Sequence, residues 1–227
     1  MNFNMTNKNV TVRQIIFLLI FFAVVFGASR IALFKIIGAG QSFTLFEFIY
    51  PLPAVFLGSL WGAGVVLLVR VINWAISGKT LDLITFLRFF PVVFAAIYFS
   101  TRSKLNLLVP IICMILFWAH PIGRAAFPYG LFWFIPLLAL PFKKNIALNS
   151  LGTTFTAHAI GSVVFLYTVP MSALIWRSLI PVVIIERFVF ATGIATAYIC
   201  ISLAIKYVVK RLEIKGLVVK KVYNQNE

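Results

Sequence analysis

Nine ionisable side chains lie within or at the ends of strongly apolar runs: Glu47, Arg70, Asp82, Arg88, Arg124, His158, Arg177, Glu186 and Arg187. In hydrocarbon such groups cost about 2.5–3.5 kcal/mol each, so they face a bundle interior, a cavity or an interface, or snorkel to the water boundary. Arg70 is midway through an apolar segment and shares a helical face with Asn73 and Trp74 at i+3 and i+4. That stripe fits either an aqueous or substrate cavity or a buried ion pair with Glu47 or Asp82 that fixes helix packing. In "NSLGTTFTAHAIGSVVF", Ser150, Thr154, His158 and Ser162 recur every fourth residue and line one face. The face suits a ligand wall; with Gly152, Ala157, Ala159 and Gly161 beside it, it equally suits a helix-packing seam. Glu186 and Arg187 project about 100° apart on a helix, which predicts separate partners, with Arg70 or Arg88 as candidates for Glu186.

Catalytic constellations are not evident. There are two histidines, His120 and His158, and no H-E-x-x-H, G-x-S-x-G, phosphate-binding glycine loop or acidic cluster. Neither a metal centre nor a cofactor is implied, and the expectation is a protein without enzymatic activity. Cys113 and Cys200 lie far apart within apolar runs, which is no disulfide framework.

The elements that position these residues belong to a membrane. Of 227 residues, 62% are hydrophobic and 11% charged, and the mean hydropathy is +1.05, outside the range of water-soluble domains. No segment shows the two-residue alternation of an outer-membrane barrel, so helices must satisfy the backbone in lipid. The expected fold is an all-α polytopic membrane protein, one domain over residues 1–227. Apolar segments fall near 14–37, 45–60, 62–77, 81–99, 107–119, 125–142, 150–169 and 178–206, predicting six to eight transmembrane helices, several of them short or bent by proline.

The net charge of +15 is concentrated at segment ends and in a basic tail over 207–227, which fits the positive-inside rule and anionic lipid headgroups better than a nucleic-acid partner. With eight crossings, Lys8 and Arg13, Arg102 and Lys104, Lys143 and Lys144, and the tail all fall on one side, predicting a multi-pass cell-membrane protein with both termini cytoplasmic. The N-terminus has the basic start and apolar centre of a signal peptide. An uncleaved first span is preferred, because the apolar stretch runs past Arg30 through "IALFKII".

The opening half holds "FTLFEFIYPLPAVFLGSLWGAGVVLLVRVINWAISG", a proline-bearing short segment turned through Gly62 into a second helix with Glu47 near the outer end. It is followed by "GKTLDLITFLRFFPVVFAAIYFSTRSK", which starts after a glycine with Asp82 and ends in a basic turn. Near the end, "LIPVVIIERFVFATGIATAYICISLAIKYVVKR" enters a helix through a proline and closes on basic residues. This order resembles the substrate-binding S components of energy-coupling factor (ECF) transporters, small helical membrane proteins that capture vitamins or related micronutrients. The stretch 107–169 holds more apolar segments than a six-helix S component needs.

The resemblance implies uptake of a small solute without chemistry, together with a transmembrane T component and ATPase subunits. It places the small residues Ala23, Gly27, Ala28 and Ala32 of the first span against the T component. Substrate-binding candidates are Glu47, Arg70, Asn73, Trp74, Asp82, Thr154, His158, Ser162 and Glu186, with Trp74, Tyr129, Trp133 and Trp176 offered as aromatic walls. The competing readings are a structural or assembly subunit of a membrane complex and a stand-alone secondary transporter coupled to ions through Arg70, Asp82 and Glu186.

Overall fold

A computed structural model describes residues 8–35, 42–78 and 80–211. The basic tail beyond Arg211 lies outside the described residues. The described chain is almost wholly helical. Helix α1 (Lys8–Ala28) is followed by a two-stranded antiparallel ribbon, β1 (Ala32–Lys35) and β2 (Ser42–Thr44), which pairs Ala32 with Thr44 and Lys35 with Ser42. The apolar stretch after Arg30, expected to prolong the first span, is thus partly strand. Ala32, isoleucine-flanked and beyond the last turn of α1, is paired to a strand and does not continue a helical face.

Helices α2 (Phe46–Ile49) and α3 (Leu52–Leu57) are separated at Tyr50–Pro51. Pro51 has no N–H to offer the Glu47 carbonyl, and its ring crowds that position, so the helix breaks there as the sequence predicts. Pro53 sits in the first turn of α3, where no intrahelical donor is missed. The turn into α4 (Ser59–Ile76) is made by Gly58 at φ +95°, not by Gly62 as expected from the sequence. Gly62 has another task. A Cβ there would stand 2.1 Å from the Ala54 backbone nitrogen, so only glycine lets α4 lie so close on α3.

Next come α5 (Leu83–Leu87) and α6 (Phe90–Ser100), then α7 (Leu108–Ala119), α8 (Pro121–Ala125), α9 (Phe127–Gly130) and α10 (Phe134–Ala139). Short 3-10 turns at Lys104–Leu107, Leu131–Trp133 and Leu140–Phe142 interrupt the apolar stretch, so the segment expected at 125–142 is a broken run rather than one helix. The long α11 (Ile146–Thr168), the short α12 (Ala173–Ser178) and the 32-residue α13 (Ile180–Arg211) complete the chain.

Among the described residues, three runs are long and apolar enough to cross a membrane: Ser59–Ile76, Leu83–Ser100 and Ile180–Val208. At 1.5 Å per residue, α13 is roughly 48 Å long, well beyond the ~30 Å hydrocarbon layer. Helix α11 has the length but not the composition. Its Asn149, Ser150, Thr153, Thr154, Thr156 and Ser162 are buried in the protein, where Asn149 donates to the Phe99 carbonyl of α6 and Thr153, Thr154 and Thr156 donate to carbonyls of α11 itself.

Two hydrophobic cores result. The first gathers Val25, Phe46, Leu52, Val66, Ala95, Phe99 and Ile194 from α1, α2, α3, α4, α6 and α13. The second gathers Phe117, Tyr129, Trp133, Phe155, Trp176 and Val183 from the α7–α13 half. Helix α11 packs on both α6 and α13 and so joins the two.

One end of the α6–α11 pair is stitched through carbonyls that have no helical partner. Asn149 Nδ2 donates to the Phe99 carbonyl at 3.0 Å, Asn106 Nδ2 to that of Thr101 at 3.1 Å, and the Lys143 ammonium to that of Tyr98. Lys143 is 4% exposed and sits 3.5 Å from the Tyr98 ring centroid. Burial, with a smaller push from Arg102, lowers its pKa to about 7.

Candidate functional site

Helix α4 presents Arg70, Asn73 and Trp74 on one face, as their spacing predicts. Half of the Asn73 amide is spent on structure: its Nδ2 donates to Ser29 Oγ at 3.0 Å, and Ser29 in turn donates to the Phe26 carbonyl, so α4 is fastened to the end of α1, while Asn73 Oδ1 is buried without a protein donor. Trp74 meets Phe89 edge-on at 6.4 Å, and its indole N–H is buried without a protein acceptor. The Arg70 guanidinium lies 5.5 Å from the Phe46 ring centroid, and its Nε is likewise buried and unpaired.

Glu47, adjacent to Phe46 on α2, feels the charges of both Arg70 and Arg187. It is in direct contact with neither, because the one ion pair among the described residues joins Arg187 to Glu186. Arg70 lies against Phe46, the neighbour of Glu47, and α13, which carries Arg187, packs on α2, so half-buried Glu47 has a guanidinium on each of two adjoining helices without a salt bridge to either.

The Glu186–Arg187 pair corrects the sequence expectation of separate partners. Arg187 Nη2 stands 3.3 Å from Glu186 Oε2. The 100° offset holds for the Cα–Cβ directions only. Arg187 folds along the helix until its guanidinium lies 4.6 Å from the Phe190 ring centroid, within reach of the flexible glutamate. Arg88 does not meet Glu186; its guanidinium lies 4.7 Å from the Phe165 ring centroid.

Asp82 stands apart from this cluster. It is exposed at the N-cap of α5, accepting the Thr85 N–H at 2.7 Å. The Thr85 hydroxyl and N–H, with a smaller contribution from Arg88, hold its carboxyl below the usual carboxylate range. An ion pair between Arg70 and Asp82 is not formed.

The second polar group is centred on His158. Trp133 Nε1 donates to His158 Nδ1 at 3.2 Å, while Tyr129 Oη is 2.9 Å and Ser162 Oγ 3.3 Å from Nε2. An indole N–H only donates, so Nδ1 must accept, and the imidazole is the Nε2–H tautomer, with Tyr129 and Ser162 as its acceptors. Tyr129 Oη and Ser162 Oγ are 3.4 Å apart and close the group. Phe117 organises the surrounding aromatic shell, edge-on to Trp133 at 5.0 Å and to Trp176 at 5.5 Å, with Trp176 in turn 4.8 Å from Tyr129.

Of the four residues expected as aromatic walls, Tyr129, Trp133 and Trp176 come together and fill their space with one another, whereas Trp74 packs apart from them on Phe89. Phe117 and Phe155, both fully buried, were invisible among the 24 phenylalanines of the sequence. Thr154 donates to the Leu151 carbonyl at 3.0 Å and approaches the Arg187 carbonyl at 3.4 Å, linking the two polar groups through α11 and α13.

A groove of about 640 Å³ runs between α2 and α13, lined by Leu45, Phe48, Ile49, Phe188, Val189, Thr192, Gly193, Thr196 and Ala197. It is apolar, and none of the nine expected binding residues lines it. On α1, Ala23 and Gly27 are exposed, whereas Ala28 is buried in the first core and is unavailable to another chain.

No family model, curated protein or solved structure matches the chain. The functional reading therefore stands on these residues and their arrangement.

Proposed function

We propose that the chain is a multi-pass membrane component for solute uptake, of six to eight crossings with both termini cytoplasmic, similar in role to an ECF S component. In this reading it binds a small solute within its helical bundle and passes it on with a transmembrane partner and ATPase subunits. The observation that carries the reading is the convergence of Arg70, Glu47 and Arg187 from three helices, with buried N–H groups that no protein acceptor takes up. A purely structural cluster would gain about 1–3 kcal/mol for each such donor by pairing it or replacing it with an apolar side chain.

Exposed Ala23 and Gly27 of α1 supply a close-packing strip for a partner helix. Native mass spectrometry of the protein purified in mild detergent tests both halves of the proposal: a small-molecule adduct is expected, together with co-purifying partner chains. A purified chain free of adducts that binds no added solute defeats it.

A second reading, an assembly subunit, is favoured by the α2–α13 groove. There Thr192, Thr196 and Ala197 offer small side chains to another helix. It predicts a stable partner complex and no solute.

A further inference from the structure

We infer that the cluster of Arg70, Glu47 and Arg187 binds one anionic oxygen group, a carboxylate or a phosphate, and that this group is the recognised part of the ligand. The inference rests on the solute-binding reading above and narrows its substrate class.

The first argument is the sign of what is missing. Four polar atoms here are shut off from solvent without a protein partner, and three of them, Arg70 Nε, Trp74 Nε1 and Arg187 Nε, are donors against the single acceptor Asn73 Oδ1. Arg70 and Trp74 are one turn apart on the same face of α4, and α13, which carries Arg187, packs on α2, which carries Glu47, so that the Arg187 charge acts on the same carboxylate without touching it. A donor-rich site is completed by an acceptor-rich ligand. An ammonium would add donors, and a neutral hydroxyl would supply one weak acceptor among several demands.

The second argument is charge. Arg187 already has Glu186 at 3.3 Å. Arg70 has no carboxylate in contact, only the Phe46 ring. Its planar guanidinium fork matches the two oxygens of a carboxylate or phosphate, and it does so most strongly where water is scarce. Glu47 is the resident counter-charge, near enough to act on both guanidiniums yet bonded to neither. An incoming anion meets its repulsion as well as their attraction. Removing the Glu47 charge should therefore strengthen anion binding, whereas a cation site would lose its only ligand.

The test uses the full-length protein. Thermal stability is measured in a neutral detergent against benzoate and inorganic phosphate, at constant ionic strength set by choline chloride, and in phosphatidylcholine nanodiscs with and without phosphatidylglycerol. The expected result is a saturable stabilisation by at least one anion. The apparent affinity should be at least tenfold weaker in Arg70→Gln and several-fold tighter in Glu47→Gln. Arg70 makes no hydrogen bond within the protein among the described residues, so its variant should fold even if Arg187→Gln does not.

A response to the free anions identifies a soluble ligand, and one confined to phosphatidylglycerol nanodiscs identifies a lipid headgroup; both support the inference. It is overturned if wild type responds to neither source, or if Arg70→Gln responds as wild type does. A neutral or cationic adduct in native mass spectra, indifferent to Arg70→Gln, overturns the anion inference and leaves the solute-binding reading standing. Absence of any adduct or response removes both.

Discussion

Around His158, an imidazole, a phenol, an indole and a hydroxyl satisfy one another inside an aromatic shell. Around Arg70, half-buried charges face one another without touching, and donors remain open. Both groups sit between helices of the same bundle and both were flagged by polar residues at helical spacing. The difference is what each lacks. The His158 group leaves only the Trp176 N–H unpaired and needs no outside partner to be stable; the Arg70 group is incomplete within the protein. A polar stripe on an apolar helix thus has two outcomes, and only hydrogen-bond accounting separates them.

The largest way to disturb the contrast is Arg187→Ala, which leaves Glu186 half-buried without its partner and should cost about 3–5 kcal/mol. Thermal unfolding in detergent should show the loss, with partial recovery in the double variant with Glu186→Gln. Equal stability of single and double variants would mean that the pair carries no coupling.

Gly62→Ala comes next, at about 3 kcal/mol, because its Cβ would meet the Ala54 backbone rather than a movable side chain. This tests whether the Arg70 cluster stands on a rigid base; a harmless substitution would show that α3 and α4 can separate. His158→Ala should cost about 2 kcal/mol by stranding the Trp133 and Tyr129 polar groups. A neutral result would break the claim that this group is self-sufficient.

Lys143 gives a pH-dependent comparison at the opposite end of the α6–α11 pair. Its folded pKa, about 7, is below that of the unfolded chain, so between these values the unfolded state binds more protons and stability rises with pH. The slope is at most about 1.4 kcal/mol per pH unit between roughly pH 7 and 10, and is absent below both values. Lys143→Met should flatten it, and an unchanged slope would assign it elsewhere. The smallest effect on stability is expected for Arg70→Gln, within about 1 kcal/mol, because no hydrogen bond or ion pair is lost. A large loss would place Arg70 in the structural class with Arg187.

Several features were legible in the chain. Pro51 and Pro53 divide the first proline-bearing segment because a missing N–H is a local fact. The shared face of Arg70, Asn73 and Trp74, and that of Thr154, His158 and Ser162, follow from helical period alone. Other expectations failed for tertiary reasons. Sequence alone suggests a turn at Gly62 because glycine serves turns and close approaches alike, and only the position of α3 over it distinguishes them. Angular spacing predicts separate partners for Glu186 and Arg187 because it ignores how far long side chains bend. Asp82 borders an apolar run like the intramembrane charges, yet it is an exposed helix cap, since an N-cap differs from a buried acid by the direction of one backbone N–H.

By itself, the sequence determined that this chain is helical and built for a lipid environment, since 62% hydrophobic content and repeated apolar runs permit little else. Periodicity also determined which polar residues share a face. Tertiary structure decided which of those polar groups are finished and which are open. That depends on residues more than 25 positions apart, as with Tyr129 and His158 or Thr154 and Arg187, whose meeting is set by helix packing and by no local preference of the chain.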